Sequence, residues 1–283
     1  MNDHKSFYYS QFKGKVFVIK IGGEVVASKD ILENILIDVV ELMAHGIHVV
    51  FVHGGGSQAD DLSKKLGHET TKIDGRRVTG EKDLEVVKML FGGSLNLDIL
   101  SILKKLGAKG LRVSGLDGGL LDVKMREKGE HDFGFVGDVE KVHPKVLVDL
   151  MNYGYLPVVS PLGVTDDGTI VNINADTIAT EIAISLNASK LILFTTTDGI
   201  FNGKDLIHTL TLKESQKLID DKIVKDGMLV KLVNCMQAVE AGVQRVHVLN
   251  GLHPHSLVAE VCTKSGVGTM IISGKEKEKY LNE

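Results

Sequence analysis

The chain has 283 residues, 43% of them hydrophobic and 25% charged, with a net charge of −4 and a pI near 6.3. That is an ordinary globular composition, long enough for one large domain or two lobes around a substantial core. The acidic balance argues against nucleic-acid and anionic-membrane partners, and no apolar stretch approaches the ~18 residues of a membrane span.

The opening Met1-Asn2-Asp3-His4-Lys5 lacks the basic-then-apolar order of a secretory signal. Cys235 and Cys262 lie far apart in apolar, helix-like contexts and read as buried thiols, which points to the cytoplasm.

The first strand, Val16-Phe17-Val18-Ile19-Lys20, carries a lysine to its C-terminal tip and runs into Gly22-Gly23. Apolar pairs from Ile31 to Met43 recur at helical spacing, and Gly46 ends that helix. A second strand, 47–53, ends at His53 and enters Gly54-Gly55-Gly56. Ser57 is expected to cap the short helix that follows, marked by Ala59, Leu62 and Leu66. From about Asp83 to Leu106 the pattern predicts one long amphipathic helix. Gly92-Gly93 sits inside it at about 1 kcal/mol per glycine relative to alanine, so a close backbone approach, to a ligand or to a second subunit, is expected there. The segment Gly110 to Val142 reads as an antiparallel hairpin region lying over the sheet edge as a lid, with strands near 120–124 and 135–139. Alternation then resumes: helix 144–153, strand 155–160, helix 175–187, strand 190–195, helices 213–219 and 227–242, strand 245–249, helix 255–263 and a last strand near Thr269–Ile272. Strand–helix alternation predicts an α/β fold with a mainly parallel open sheet, helices on both faces, and a lobe boundary around Ala188–Lys190.

Several residues invite a chemical reading. Alone, Lys20 reads as a solvated strand-end lysine, but glycine amides beside it can approach a phosphate that side chains would block. The His53-Gly54-Gly55-Gly56 turn forms an amide nest or a mere tight turn. Asp176 opens a helix, either as its cap or as a carboxylate holding lysines by charge-assisted hydrogen bonds. Lys231 stands where an amphipathic helix also tolerates surface charge. Gly75-Arg76-Arg77 puts two arginines on a loop, and a guanidinium fork is the natural clamp for a carboxylate. Thr195-Thr196-Thr197-Asp198-Gly199 ends a strand where an open α/β sheet places a nucleotide.

Taken together, Lys-x-Gly-Gly, His-Gly-Gly-Gly, Gly-x-Arg-Val-Thr, Asn-x-Asn-Ala-Asp and Asp-Gly-Met-x-x-Lys resemble the amino acid kinase superfamily, and within it the N-acetylglutamate kinases. The resemblance covers about Tyr8 to Ile272 and implies a three-layer αβα sandwich. It implies an arm (1–14), a lobe for N-acetyl-L-glutamate binding and dimerisation (15–189) and a lobe for ATP (190–283). It makes Lys20 and Lys231 the stabilisers of the phosphoryl transition state and Asp176 their organiser. Gly55, Gly56, Arg77 and Asn172 then bind the acceptor. Gly22, Gly23, Thr195, Asp198, Gly199, Asp226 and Met228 serve the nucleotide, and Mg²⁺ rides mainly on the ATP phosphates. Two departures stand out: Thr195-Thr196-Thr197 replaces the usual Thr/Ser-Asp-Val, and Leu97 follows Asn96 where lysine is frequent.

The rivals are a sister kinase for carrier-linked aminoadipate or glutamate, whose acidic carrier would find no basic patch here, and a non-catalytic amino-acid sensor. Tyr8, His247, Glu260 and Gly266 resemble the site of the arginine-inhibited branch, which implies inhibition by L-arginine and a hexamer (a trimer of dimers) rather than a homodimer. A PII-type regulatory partner is not readable from the sequence.

Overall fold

The structure, a computed structural model, describes residues 2–73, 75–263 and 266–282. Within them eight strands form one sheet: β1 (Val16–Ile21), β2 (His48–His53), β3 (Gly110–Ser114), β4 (Leu156–Ser160), β5 (Lys190–Thr195), β6 (Thr209–Thr211), β7 (Arg245–Asn250) and β8 (Thr269–Ile272). Their order is β6-β8-β7-β5-β1-β2-β4-β3, and only β7 against β8 is antiparallel. Strands from both sides of residue 189 therefore share one sheet, with β1 hydrogen-bonded between β2 and β5.

Helices cover both faces. On one lie α3 (Lys29–Ala44), α5 (Glu81–Met89), α6 (Leu95–Lys105) and α11 (Ser256–Val261); on the other, α7 (Lys145–Asn152), α8 (Ala175–Ser185), α9 (Leu212–Asp220) and α10 (Asp226–Glu240). Sheets buried on both faces read as unbroken apolar runs, as β1, β2 and β5 do. Successive side chains alternate between faces, so Phe17, Ile19 and Ile21 pack with α3 while Val18 packs with α8 and α10. Lys20 has the parity of Val18, and this directs its ammonium to the α8–α10 side.

The long helix differs from its expected form. A π-helical turn, Leu90–Ser94, joins α5 to α6 and contains both glycines. A Cβ on Gly93 would meet nothing within 4 Å, and one on Gly92 only Leu162 at 3.7 Å, so no close approach within the chain requires them. The wide turn instead frees the Phe91 carbonyl, which accepts from Asn96 Nδ2 at 2.6 Å. Contrary to the absence expected of any membrane-length stretch, the run Glu81–Lys105 is long and apolar enough to cross a bilayer by length and composition. Its apolar side is core: Val87, Leu90, Phe91, Ile99 and Leu103 are buried against the sheet.

Other expectations shift in detail. Gly110–Ser114 is the parallel edge strand β3 rather than part of a hairpin; the antiparallel pair is Leu121–Met125 with Gly137–Val142. Arg76 and Arg77 lie on a two-residue strand paired with Lys72 and Ile73, not on a loop. Gly55, not Ser57, is the N-cap of α4 (Gly56–Lys65), and Ser57 donates to Gln58 instead.

Three helices had no strong periodicity: α1 (Asn2–Phe12), α2 (Gly23–Val26) and α12 (Gly274–Asn282). Contacts with the body anchor α1, whose Tyr9 donates to Glu41 at 2.7 Å and stacks on His45 at 4.0 Å. Both cysteines are buried thiols.

Candidate active site

Parallel strands present their C-terminal ends at one sheet edge, and the register aligns Lys20 with Val52 of β2 and Leu193 of β5. Asn174 caps α8 by accepting from Thr177 N, so the cap role expected of Asp176 falls to its neighbour. Asp176, in the first turn of α8, is left to meet the lysines. Its Oδ1 lies 2.7 Å from Lys20 Nζ and its Oδ2 3.1 Å from Lys231 Nζ, with all three side chains at most 14% exposed. Burial by itself raises the Asp176 pKa, but the two ammonium groups outweigh it and hold the carboxyl well below its usual range. Burial pulls the Lys20 pKa below its ordinary value, and Asp176 opposes that pull. One carboxylate thus holds two ammonium groups, with donors to spare, at the edge of a cleft.

The two glycine turns lie side by side beside Lys20. Gly54 N donates to Ile21 O at 2.8 Å, and Gln58 Nε2 to Gly23 O at 2.6 Å. A Cβ on Gly23 would stand 2.8 Å from Gly56 N, and one on Gly55 only 2.6 Å from the Phe91 ring. At those two positions only bare backbone fits, and α4 opens there without a side-chain cap, leaving its first amides for an anion. The two turns together form a cradle of bare backbone amides.

The cleft they border has a volume of about 1080 Å³ including its mouth. Lys20, Lys72, Arg76, Arg77 and Arg126 line it, with Asn172 and Asn174. A basic patch does exist, although the sequence reading found none, because its cations come from separate segments. Arg77 Nη2 donates to Gly56 O at 2.8 Å and to Asp60 at 2.6 Å. Asn172 Nδ2 donates to Thr79 Oγ1 at 3.2 Å. The sequence reading missed Lys72 and Arg126, which no motif marked.

The expected nucleotide residues lie at the same sheet edge on the β5–β7 side. Thr195 ends β5 opposite Asn250. Asp198 accepts from Asn250 and His253, each at 2.8 Å. Gly199 has φ +151°, and a Cβ there would lie 2.4 Å from Thr269 Oγ1. Thr196 donates to Glu24 of α2 at 3.1 Å. Met228 packs against the core beneath α10; Asp226 opens that helix, and its side chain lies outside the described residues.

His53 is fully buried and does not line the cleft; it lies edge-on to Phe91 at 6.3 Å between centroids, with Nδ1 3.0 Å from Gly54 O. Burial pushes its pKa down to about 4 from 6.5, so it is a neutral structural group. The unfolded chain binds a proton below pH 6.5 that folded His53 refuses until about pH 4. Stability should therefore fall as pH drops through that window, by about 2 kcal/mol at pH 5 from this residue. The urea midpoint measured at pH 7 and 5 checks this, and His53→Asn should flatten the slope whatever its absolute stability.

A second cavity, about 830 Å³ with its mouth, lies between α1 and the β7–β8 end of the sheet. It brings together Tyr8, His247, Glu260 and Gly266. Glu260 is buried rather than solvated: Oε1 takes His247 Nδ1 at 2.6 Å, and Oε2 takes Val267 N at 2.6 Å and Gly268 N at 3.0 Å. Burial raises its pKa, but His247 and these amides prevail and hold it at about 2. Gly266 has φ +64°, and a Cβ there would press on Glu260 Oε2 at 2.7 Å. Lys190 Nζ stands 3.1 Å from His247 Nε2 and 5.0 Å from the Phe12 ring, tying α1 to the cavity wall.

A model of the amino acid kinase family matches residues 15–250. The acetylglutamate kinase of Kosmotoga olearia is 43% identical over 264 residues, covering 93% of both chains. That of Methanothrix thermoacetophila is 38% identical over 273 residues, 93% of this chain and 94% of the other. The N-acetylglutamate synthase of Neisseria gonorrhoeae, solved with coenzyme A and L-arginine, superposes with a TM-score of 0.85 at 26% identity. It matches 95% of this chain, which spans only 64% of the synthase's length. Carbamate kinase from Giardia (TM-score 0.66, 13% identity, 92% of this chain and 99% of that one) shares the fold. With the glycine cradle and the shared carboxylate at the sheet edge, these matches establish that the chain belongs to the amino acid kinase family.

Proposed function

We propose that the protein uses ATP to phosphorylate the γ-carboxylate of N-acetyl-L-glutamate, forming the acyl phosphate in the second step of arginine biosynthesis. The observation that carries this reading is the pairing of Lys20 and Lys231 on Asp176, beside a bare-backbone glycine cradle and a cleft lined by cations. The curated relatives named acetylglutamate kinase support the choice of acceptor.

A glutamate-type carboxylate titrates near pH 4.3 and arrives ionised. No general base is needed, and neutral, buried His53 is not one. The task is to bring an anion against a polyanion. The amides of Gly22, Gly23, Gly55 and Gly56 receive phosphate oxygens, while Lys20 and Lys231 face charge that builds on the transferred group. Arg77 and Asn172 hold the acceptor, and the 195–201 and 223–228 segments surround the nucleotide. Mg²⁺ is taken to ride mainly on the ATP phosphates, neutralising their charge. The donors present fit this division of labour.

The deciding experiment is ATP consumption with N-acetyl-L-glutamate, aminoadipate or uridine monophosphate as acceptor; only the first should support turnover. A chain that binds these ligands without turnover would be a sensor instead. Arg77→Lys keeps the charge but loses the fork. It should raise KM for the acceptor about 10-fold and leave KM for ATP nearly fixed; a change confined to ATP would place the acceptor in the wrong lobe.

We further propose that L-arginine inhibits through the second cavity and that a hexamer is favoured over a dimer. Buried Glu260 at its wall suits a guanidinium, and the synthase solved with L-arginine lends support. Glu260→Gln should abolish inhibition while sparing turnover without arginine. Full activity in saturating arginine, with a dimer by light scattering, would eliminate this branch alone.

A further inference from the structure

Behind two cations of the acceptor cleft stands a second carboxylate that joins them. Asp60, on α4, accepts from Arg77 Nη2 at 2.6 Å through Oδ1 and from Lys72 Nζ at 2.7 Å through Oδ2. Thr70 Oγ1 donates to the same Oδ1 at 2.8 Å. The arrangement repeats that of Asp176 with its two lysines, and Lys72 and Arg77 both line the cleft. Arg77 Nη1 is buried without a hydrogen-bond partner; Asp83 Oδ1, 3.9 Å away, is the nearby carboxylate. A guanidinium nitrogen in that condition wants an acceptor that the protein itself does not supply.

We propose that Asp60 is a positioning residue that fixes Arg77 and Lys72 as a paired clamp for the second carboxylate of a dianionic acceptor, and so sets selectivity for two-carboxylate over one-carboxylate acceptors. This rests on the acceptor assignment above. Two effects of Asp60 oppose each other. Its negative charge repels an incoming carboxylate, weakly because the residue is a third exposed and the medium is wet. Its hydrogen bonds hold two long, rotamer-rich side chains in one geometry before the ligand arrives. Bidentate recognition depends on that geometry, so the ordering effect wins. Asp60→Asn keeps the shape and removes the shared anion.

Steady-state kinetics of the full chain test this, with N-acetyl-L-glutamate and with 4-acetamidobutyrate, the same molecule lacking its α-carboxylate, used as substrate or competitive inhibitor. Asp60→Asn should raise KM for N-acetyl-L-glutamate about 10-fold, the scale of one charge-assisted hydrogen bond. Turnover number, KM for ATP and the constant for 4-acetamidobutyrate should stay at wild-type values, so the preference between the acceptors collapses by the same factor. In an Arg77→Lys background the Asp60→Asn change should add less than about 2-fold, since the two act as one unit. Lys72→Met should reproduce part of the effect. An unchanged or lower KM in Asp60→Asn would overturn the proposal, as would equal losses for both acceptors, the mark of a purely structural role. A wild-type protein that turns over neither compound, while phosphorylating another acceptor, would overturn the acceptor assignment and this proposal with it.

Discussion

Replacing either Lys20 or Lys231 by alanine should lower turnover roughly 10²–10³-fold, the scale of losing one preorganised contact to transition-state charge. KM for either substrate should move far less, because charge on the transferred phosphoryl group builds after binding. Both ammonium groups are at most 10% exposed and share one carboxylate at 2.7 and 3.1 Å, so neither can drift to solvent. Removing both should cost less than the product of the single losses, since one Asp176 orients them together. A single alanine variant with wild-type turnover would remove that lysine from the mechanism.

The second large effect should come from Asp176→Asn. The substitution is nearly isosteric, yet it leaves two buried ammonium groups facing each other without their counter-charge. Breaking a buried ion pair on one side costs about 3–5 kcal/mol of stability, and turnover should fall at least as far as in the single lysine variants. The pH profile carries a separate signature. Asp176 opposes the burial that pulls the Lys20 pKa down, so its loss lets that lysine shed its proton more readily. The alkaline limb of residual activity should therefore move to lower pH. An unmoved limb would mean that Asp176 does not set the charge state of Lys20.

Reading Lys20 and Asp176 from the sequence succeeded for different reasons. Lys20 was visible because a charge inside the run Val16–Ile21 breaks an otherwise unbroken apolar strand and glycines follow at once. Asp176 was ambiguous: an acid at a helix start is most simply a cap. Asn174 occupying the cap resolved that ambiguity, and only the coordinates could show it. Asp60 and Lys72 carried no signal, for a surface-type acid and base twelve residues apart look like solvated charge. The π turn at Leu90–Ser94 escaped for a related reason, since inserting one residue leaves the apolar stripe nearly intact while changing which carbonyl is free.

Local periodicity determined most of the element list and the sheet's parallel character, because alternation and helical spacing depend on near neighbours along the chain. The glycine turns, too, were written in the residues themselves. Tertiary structure alone decided that Lys20, Asp176 and Lys231 share one point, that five cations gather in an acidic chain, and that Glu260 is buried on His247 and two amides. Each of these depends on which strands lie side by side and which helix covers which face, and that order is set by packing the whole core rather than by any single segment.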